Sequence, residues 1–99
     1  MIPINGSIPR VLKDIQILSP GNGLSILSYK KDRGLYIDAL SENCFMITEF
    51  GYFNQEWEVE YALLKKQLKR IFKREFPRSR FIYLKPRGKK PDTDQQELF

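Results

Sequence analysis

The sequence contains no histidine, one cysteine (Cys44) and one tryptophan. Without histidine, a His general base, a His-containing nucleophilic triad and a His/Cys zinc site are all excluded. A lone cysteine excludes an internal disulfide and suits a reducing compartment. No apolar run approaches the roughly 20 residues that a membrane-spanning helix needs. The opening "MIPINGSIPR" has no basic start followed by an apolar stretch, so no signal peptide is expected. The expected setting is cytoplasmic, with no membrane partner. Asp38, Glu42, Glu49, Glu56, Glu58 and Glu60 are the carboxylates that would have to hold a catalytic magnesium. No spacing among them singles out such a site. We therefore expect no metal, no cofactor and no enzymatic activity.

Acidic residues are also missing where basic ones gather. Between residues 65 and 90 there are twelve Lys or Arg and one acid, Glu75, for a net charge of +11. Residues 1–64 carry −3 and residues 91–99 carry −3, so the overall +5 conceals a strong segregation. Such asymmetry points to a polyanionic partner, with nucleic acid foremost and DNA favoured over RNA.

What is present describes one small domain. Ninety-nine residues, 41% hydrophobic and 13% aromatic, are enough for a single modest core. The first ten residues read as an irregular entry. "RVLKDIQIL" places Val11, Ile15 and Ile17 at even spacing and predicts a strand, with Lys13 breaking the face. "SPGNG" is turn chemistry. "LSILSYK", "LYIDAL" and "CFMITEF" predict three more strands, the first two joined by a "KDRG" turn. In "GYFNQEWEVEY" the apolar residues alternate with acids, which predicts an extended segment that becomes helical near Val59.

From Val59 to Glu75 the helical period is clear. Tyr61, Leu64, Leu68, Ile71 and Phe72 fall on one arc roughly 100° wide, with Lys and Arg opposite and Leu63 as the apolar exception. Pro77 ends this helix, since it lacks an amide donor and disfavours the helical state in Phe76. "RFIYLK" predicts a last strand. The expected fold is α+β: a small antiparallel sheet of four to six strands, with one long amphipathic helix on one face. The expected order is β-β-β-β-(β)-α-β. Residues 1–86 form the domain and residues 87–99 a tail, basic and then acidic.

The candidate nucleic-acid-binding residues are Lys65, Lys66, Lys69, Arg70, Lys73 and Arg74 on the helix, followed by Arg78 and Arg80 at its end. Arg87, Lys89 and Lys90 continue them into the tail. Each phosphate neutralised by such a side chain releases a counterion, and Arg78 with Arg80 suits paired donation to one phosphate. "KPRGKKP" resembles a degenerate minor-groove hook of the AT-hook kind, with Arg87 and Gly88 matching and Lys89 replacing the second arginine. A plain phosphate-binding linker is the competing reading. The aromatics Tyr29, Tyr36, Phe45, Tyr52, Phe53 and Trp57 serve either as stacking platforms for bases or as core, and Tyr36 and Tyr52 are the two to watch. Cys44 is expected to be buried and inert.

The ending "QQELF" resembles the pentapeptide by which many bacterial replication and repair proteins bind the DNA polymerase III β sliding clamp. Gln95, Leu98 and Phe99 match its three anchors, whereas Gln96 stands at a usually aliphatic position. The resemblance implies a docking peptide and a sliding-clamp partner, with no implication for the fold. The expected function is thus a DNA-associated accessory protein, tethered by its ending. A protein-interaction module or inhibitor, or an RNA-binding protein, using the same basic face is the alternative.

Overall fold

The structure is a computed structural model, and it describes residues 2–87. Residues Lys89, Lys90, Gln95, Leu98 and Phe99, and the two resemblances they carry beyond Arg87, lie outside the described residues.

The described residues form one antiparallel sheet of six strands and two helices, an α+β architecture. In order these are β1 (Ile2–Pro3), α1 (Ser7–Gln16), β2 (Gly23–Leu27), β3 (Gly34–Ala39), β4 (Cys44–Phe50), β5 (Gln55–Glu60), α2 (Tyr61–Glu75) and β6 (Phe81–Arg87). Across the sheet the strands run β1-β6-β2-β3-β4-β5. The meander β2 to β5 follows the turn signals read in the sequence. The expected single helix is corrected to two, and the expected first strand over "RVLKDIQIL" is helix α1.

The reason lies in the residues before that segment. Ile8, Val11, Leu12 and Ile15 recur at helical spacing, and Val11 and Ile15 are fully buried by it while Ile17 is 80% exposed. The even spacing of Val11, Ile15 and Ile17 is a coincidence of that pattern. Pro9 is tolerated because it sits in the first turn, where its missing donor has no intrahelical partner to lose. Gly6 enters the helix at φ 77°, a conformation that glycine adopts without a Cβ penalty. The Ser7 hydroxyl donates to the Ile4 carbonyl at 2.7 Å and closes the entry.

Helix α2 begins at the residue after β5, so strand and helix join without a loop. It must carry the chain from the β5 edge back to β6, four strand positions away. Four inter-strand steps span roughly 19 Å, and a helix of 15 residues is about 22 Å long. The helix therefore just crosses the sheet.

Both helices lie on one sheet face, and the core sits between. It includes Leu24, Ile26, Leu35, Ile37, Phe45, Ile47, Val59 and Ile82 from the strands, Val11 and Ile15 from α1, and Leu64, Leu68, Ile71 and Phe72 from α2. Burying each of the four α2 side chains contributes about 1.5–3 kcal/mol before ordering costs. Tyr61, the fifth residue of the predicted stripe, is half-buried against the same core, and Leu63 is exposed as its position requires. Among the described residues, the opposite sheet face carries no helix. Its members, fixed by the strand register, include Tyr83, Lys85 and Arg87 from β6, Tyr36 and Asp38 from β3, Thr48 and Phe50 from β4, and Glu56, Glu58 and Glu60 from β5.

Candidate nucleic-acid interface

On α2 the spacing that buries Leu64, Leu68, Ile71 and Phe72 turns Lys65, Lys66, Lys69, Arg70 and Lys73 to solvent, and all five are exposed. Lys66, Lys69, Arg70 and Lys73 follow the i, i+3, i+4, i+7 pattern of one helical face. Among the described residues, none of these five has a carboxylate oxygen within 4.0 Å. Among the described residues the strip is therefore a row of cations that no acid neutralises at close range.

Arg74 is different. Its Nε and Nη2 donate to the two oxygens of Glu49 at 2.8 and 2.6 Å, a bidentate pair, and the Glu49 side chain has no solvent exposure. Gln55 Nε2 adds a third donor at 2.9 Å. Next to it Glu75, 1% exposed, accepts the backbone N–H groups of Tyr52 and Phe53, each at 3.0 Å. Together these contacts pin the β4–β5 turn to the end of α2. Gly51 gives that turn its shape at φ 113°, and a Cβ there would strike Arg33 within 2.8 Å. Arg74 thus serves the fold rather than the exposed strip.

The two acids of this cluster titrate in opposite directions. Burial alone would push the Glu49 carboxyl up, but hydrogen bonds from Arg74, Glu75 and Gln55 outweigh it and hold Glu49 below its ordinary value of 4.5. For Glu75, burial and the facing Glu49 carboxylate outweigh the two backbone donors and push the group above 4.5. A carboxyl raised in the folded state contributes stability that is full below its unfolded value and lost as pH rises through its folded value. Glu75→Gln removes that loss, so its stability relative to the natural chain should grow as pH rises above 4.5. Urea denaturation of both chains across pH 4 to 8 checks this, and parallel curves would contradict it.

Beyond α2, Arg78 and Arg80 are exposed in the link to β6. They face the β2–β3 turn across a cleft of about 700 Å³ that Lys30, Arg33 and Tyr29 also line. The turn is held by the Ser28 hydroxyl, which donates to Asp32 at 3.0 Å. No local pattern joins Lys30 and Arg33 to Arg78 and Arg80, because 45 or more residues separate them. Arg10 and Lys13 were also missed. They are exposed on α1, on the helical side of the molecule, but a strand reading hides that placement.

Arg87 ends β6 on the helix-free face, away from the α2 strip. Its guanidinium lies 4.0 Å from the centre of the Tyr36 ring and 3.4 Å from Asp38. The aromatics divide accordingly: Phe45 is core, Trp57 half-buried beside it, Tyr36 on the helix-free face, and Tyr29, Tyr52 and Phe53 exposed in turns. Cys44 is half-buried rather than buried, with its thiol donating to Glu58 at 3.6 Å. Burial and then the Glu58 and Glu60 carboxylates push that thiol up, which keeps it in the unreactive protonated form.

Among the described residues no group of three or more Cys, Asp or Glu is placed to hold a metal ion, and no helix is long and apolar enough to cross a membrane. No protein family, curated protein or solved structure matches the chain.

Proposed function

We propose that this chain is a non-enzymatic, DNA-associated accessory protein that holds the phosphate backbone on the exposed face of α2 and docks on a sliding clamp through Gln95, Leu98 and Phe99. The supporting observation is the row Lys65, Lys66, Lys69, Arg70 and Lys73, exposed and with no carboxylate within 4.0 Å among the described residues. Solvated helices commonly interleave acids with such cations to gain i, i+4 pairs, and this one does not. Arg78 and Arg80 extend the row beyond the helix end, towards Lys30 and Arg33. Contacts to backbone phosphates carry no sequence information, so binding is expected to be largely indifferent to sequence.

The clamp half rests on the resemblance of "QQELF" to the clamp-binding pentapeptide. A short segment of this kind buries two apolar side chains in a preformed pocket while a glutamine amide fixes register. Linking that contact to a weak DNA contact raises effective concentration, so neither needs to be tight. The test is a titration of duplex DNA at several salt concentrations, alongside clamp binding, for the full chain and for a chain lacking residues 95–99. Duplex affinity should fall steeply with salt in both, and only the full chain should bind the clamp. No duplex binding at low salt removes the DNA reading, and equal clamp binding by both chains removes the docking reading.

A further inference from the structure

Of the aromatic residues not used by the core, Tyr29, Tyr36 and Tyr83 gather on and beside the helix-free face of the sheet, at its β6, β2 and β3 side. Tyr29, 64% exposed in the β2–β3 turn, lies nearly parallel to Tyr83 of β6, with ring centres 6.4 Å apart and an angle of 21° between the planes. Two ammonium groups flank the Tyr83 ring, Lys31 Nζ at 4.8 Å and Lys85 Nζ at 5.9 Å from its centre. Neither lysine has a carboxylate oxygen within 4.0 Å among the described residues. One strand further, the Arg87 guanidinium covers Tyr36 at 4.0 Å. Between these large side chains the register places Gly23, Ser25 and Gly34, so the rings border a shallow floor.

The charge on this face is polarised. Its cations stand on β6 and the β2–β3 turn, whereas Glu56, Glu58 and Glu60 of β5 occupy the far edge, next to Thr48, Met46 and Cys44. A polyanion is therefore drawn to the aromatic side and repelled from the other. A protein partner fits less well, because lysines are depleted from the buried centre of protein interfaces. A duplex fits less well too, because its bases are stacked on one another and cannot offer their faces to tyrosines. Unpaired bases can, and stacking on aromatic rings beside cations that follow the backbone is the chemistry by which single strands are held.

We infer that the helix-free face binds single-stranded nucleic acid, stacking bases on Tyr29, Tyr83 and the Arg87–Tyr36 pair while Lys31 and Lys85 contact phosphates. Tyr29 also lines the cleft of Arg33, Arg78 and Arg80, so the strand's phosphates continue into that cleft. This surface is distinct from the exposed face of α2, which lies on the other side of the sheet.

The experiment is fluorescence anisotropy with a labelled oligodeoxythymidine, an oligouridine and a DNA duplex. The full chain is compared with the double variants Tyr29→Ala/Tyr83→Ala and Tyr29→Phe/Tyr83→Phe. The alanine pair should lose about tenfold or more in single-strand affinity and stay within twofold on duplex, and the phenylalanine pair should retain both. Tyr29→Ala alone repeats the test where Tyr83→Ala lowers stability, since Tyr29 lies outside the strands. A loss on the DNA strand, the RNA strand or both supports the inference and identifies the sugar preferred. Unchanged single-strand affinity, or equal losses on single strand and duplex, overturns it. Conversion of a dimer to a monomer by the alanine pair, with oligonucleotide affinity unchanged, also overturns it and gives the face to a second copy of the chain. Ring-dependent single-strand binding without any duplex binding keeps this inference and removes the α2 reading. The reverse pattern does the opposite.

Discussion

Replacing Arg74 by methionine should cost about 3–5 kcal/mol of folding stability. The substitution keeps an unbranched stem of similar length and removes only the guanidinium. What remains is Glu49 without solvent exposure, deprived of two short charge-assisted hydrogen bonds and left with Gln55, beside the equally buried Glu75. An uncompensated buried carboxylate must either stay charged in a poor solvent or take up a proton, and both oppose folding at neutral pH. Arg74 itself is 24% exposed, so water softens the effect and the lower half of that range is expected. For a domain of this size each kcal/mol shifts Tm by about 4–8 °C, so melting should fall by roughly 12–30 °C. The pair Arg74→Met/Glu49→Met should recover most of the loss, because removing both partners leaves no unpaired charge. Provided both chains are folded at the temperature of measurement, Arg74→Met should leave duplex affinity nearly unchanged. A loss below 1 kcal/mol, or no recovery in the double variant, would show that the pair does not hold the turn to the helix.

This contrast between Arg74 and its neighbours explains which parts of the molecule the sequence can reveal. The period that buries Leu64, Leu68, Ile71 and Phe72 also fixes where Lys66, Lys69 and Arg70 point, so the exposed strip was legible from local spacing alone. Arg74 belonged to the same charge run, but its role depends on Glu49, 25 residues away, and on a turn whose docking no local pattern records. The meander from β2 to β5 was equally legible, because its strands are short, rich in β-branched and aromatic residues, and joined by short links. Helix α1 was not, because Val11, Ile15 and Ile17 made a helical period resemble an alternating one, and only Ile8, Leu12 and the polar Lys13 discriminate. The insertion of β6 between β1 and β2 is a non-local choice, made by the length of α2 against the width of the sheet. The same choice decides which aromatics share a face. Tyr83 lies 47 residues beyond Tyr36, and a strand reading gives each of these two an even chance of facing the core. Only the strand order brings Tyr83 beside the β2–β3 turn.

The triple variant Lys66→Glu/Lys69→Glu/Arg70→Glu should lose duplex DNA affinity by about 100- to 1000-fold at 0.1 M salt. The magnitude follows from counterion release: each phosphate contact contributes about 0.9 to the slope of log affinity against log salt, hence roughly eightfold between 1 and 0.1 M. Removing three contacts removes about three such factors, and the added carboxylates repel the backbone further. The salt slope itself should become shallower by about 2.7. Folding should survive, because all three side chains are exposed, lie mid-helix away from the dipole ends, and have no ion pair to lose among the described residues. Glu also matches Lys and Arg closely in helix propensity. Far-UV circular dichroism and a melting curve establish that the variant is folded. Anisotropy titrations at 50, 100 and 200 mM salt then give affinity and slope together. A folded variant with wild-type affinity and slope would take duplex DNA away from α2 and leave its cations to an acidic protein partner, for which salt dependence would be read against that protein instead. A loss of affinity with the slope unchanged would mean that the three residues act by shape and not by neutralising phosphates, which the exposed, carboxylate-free geometry of the strip argues against.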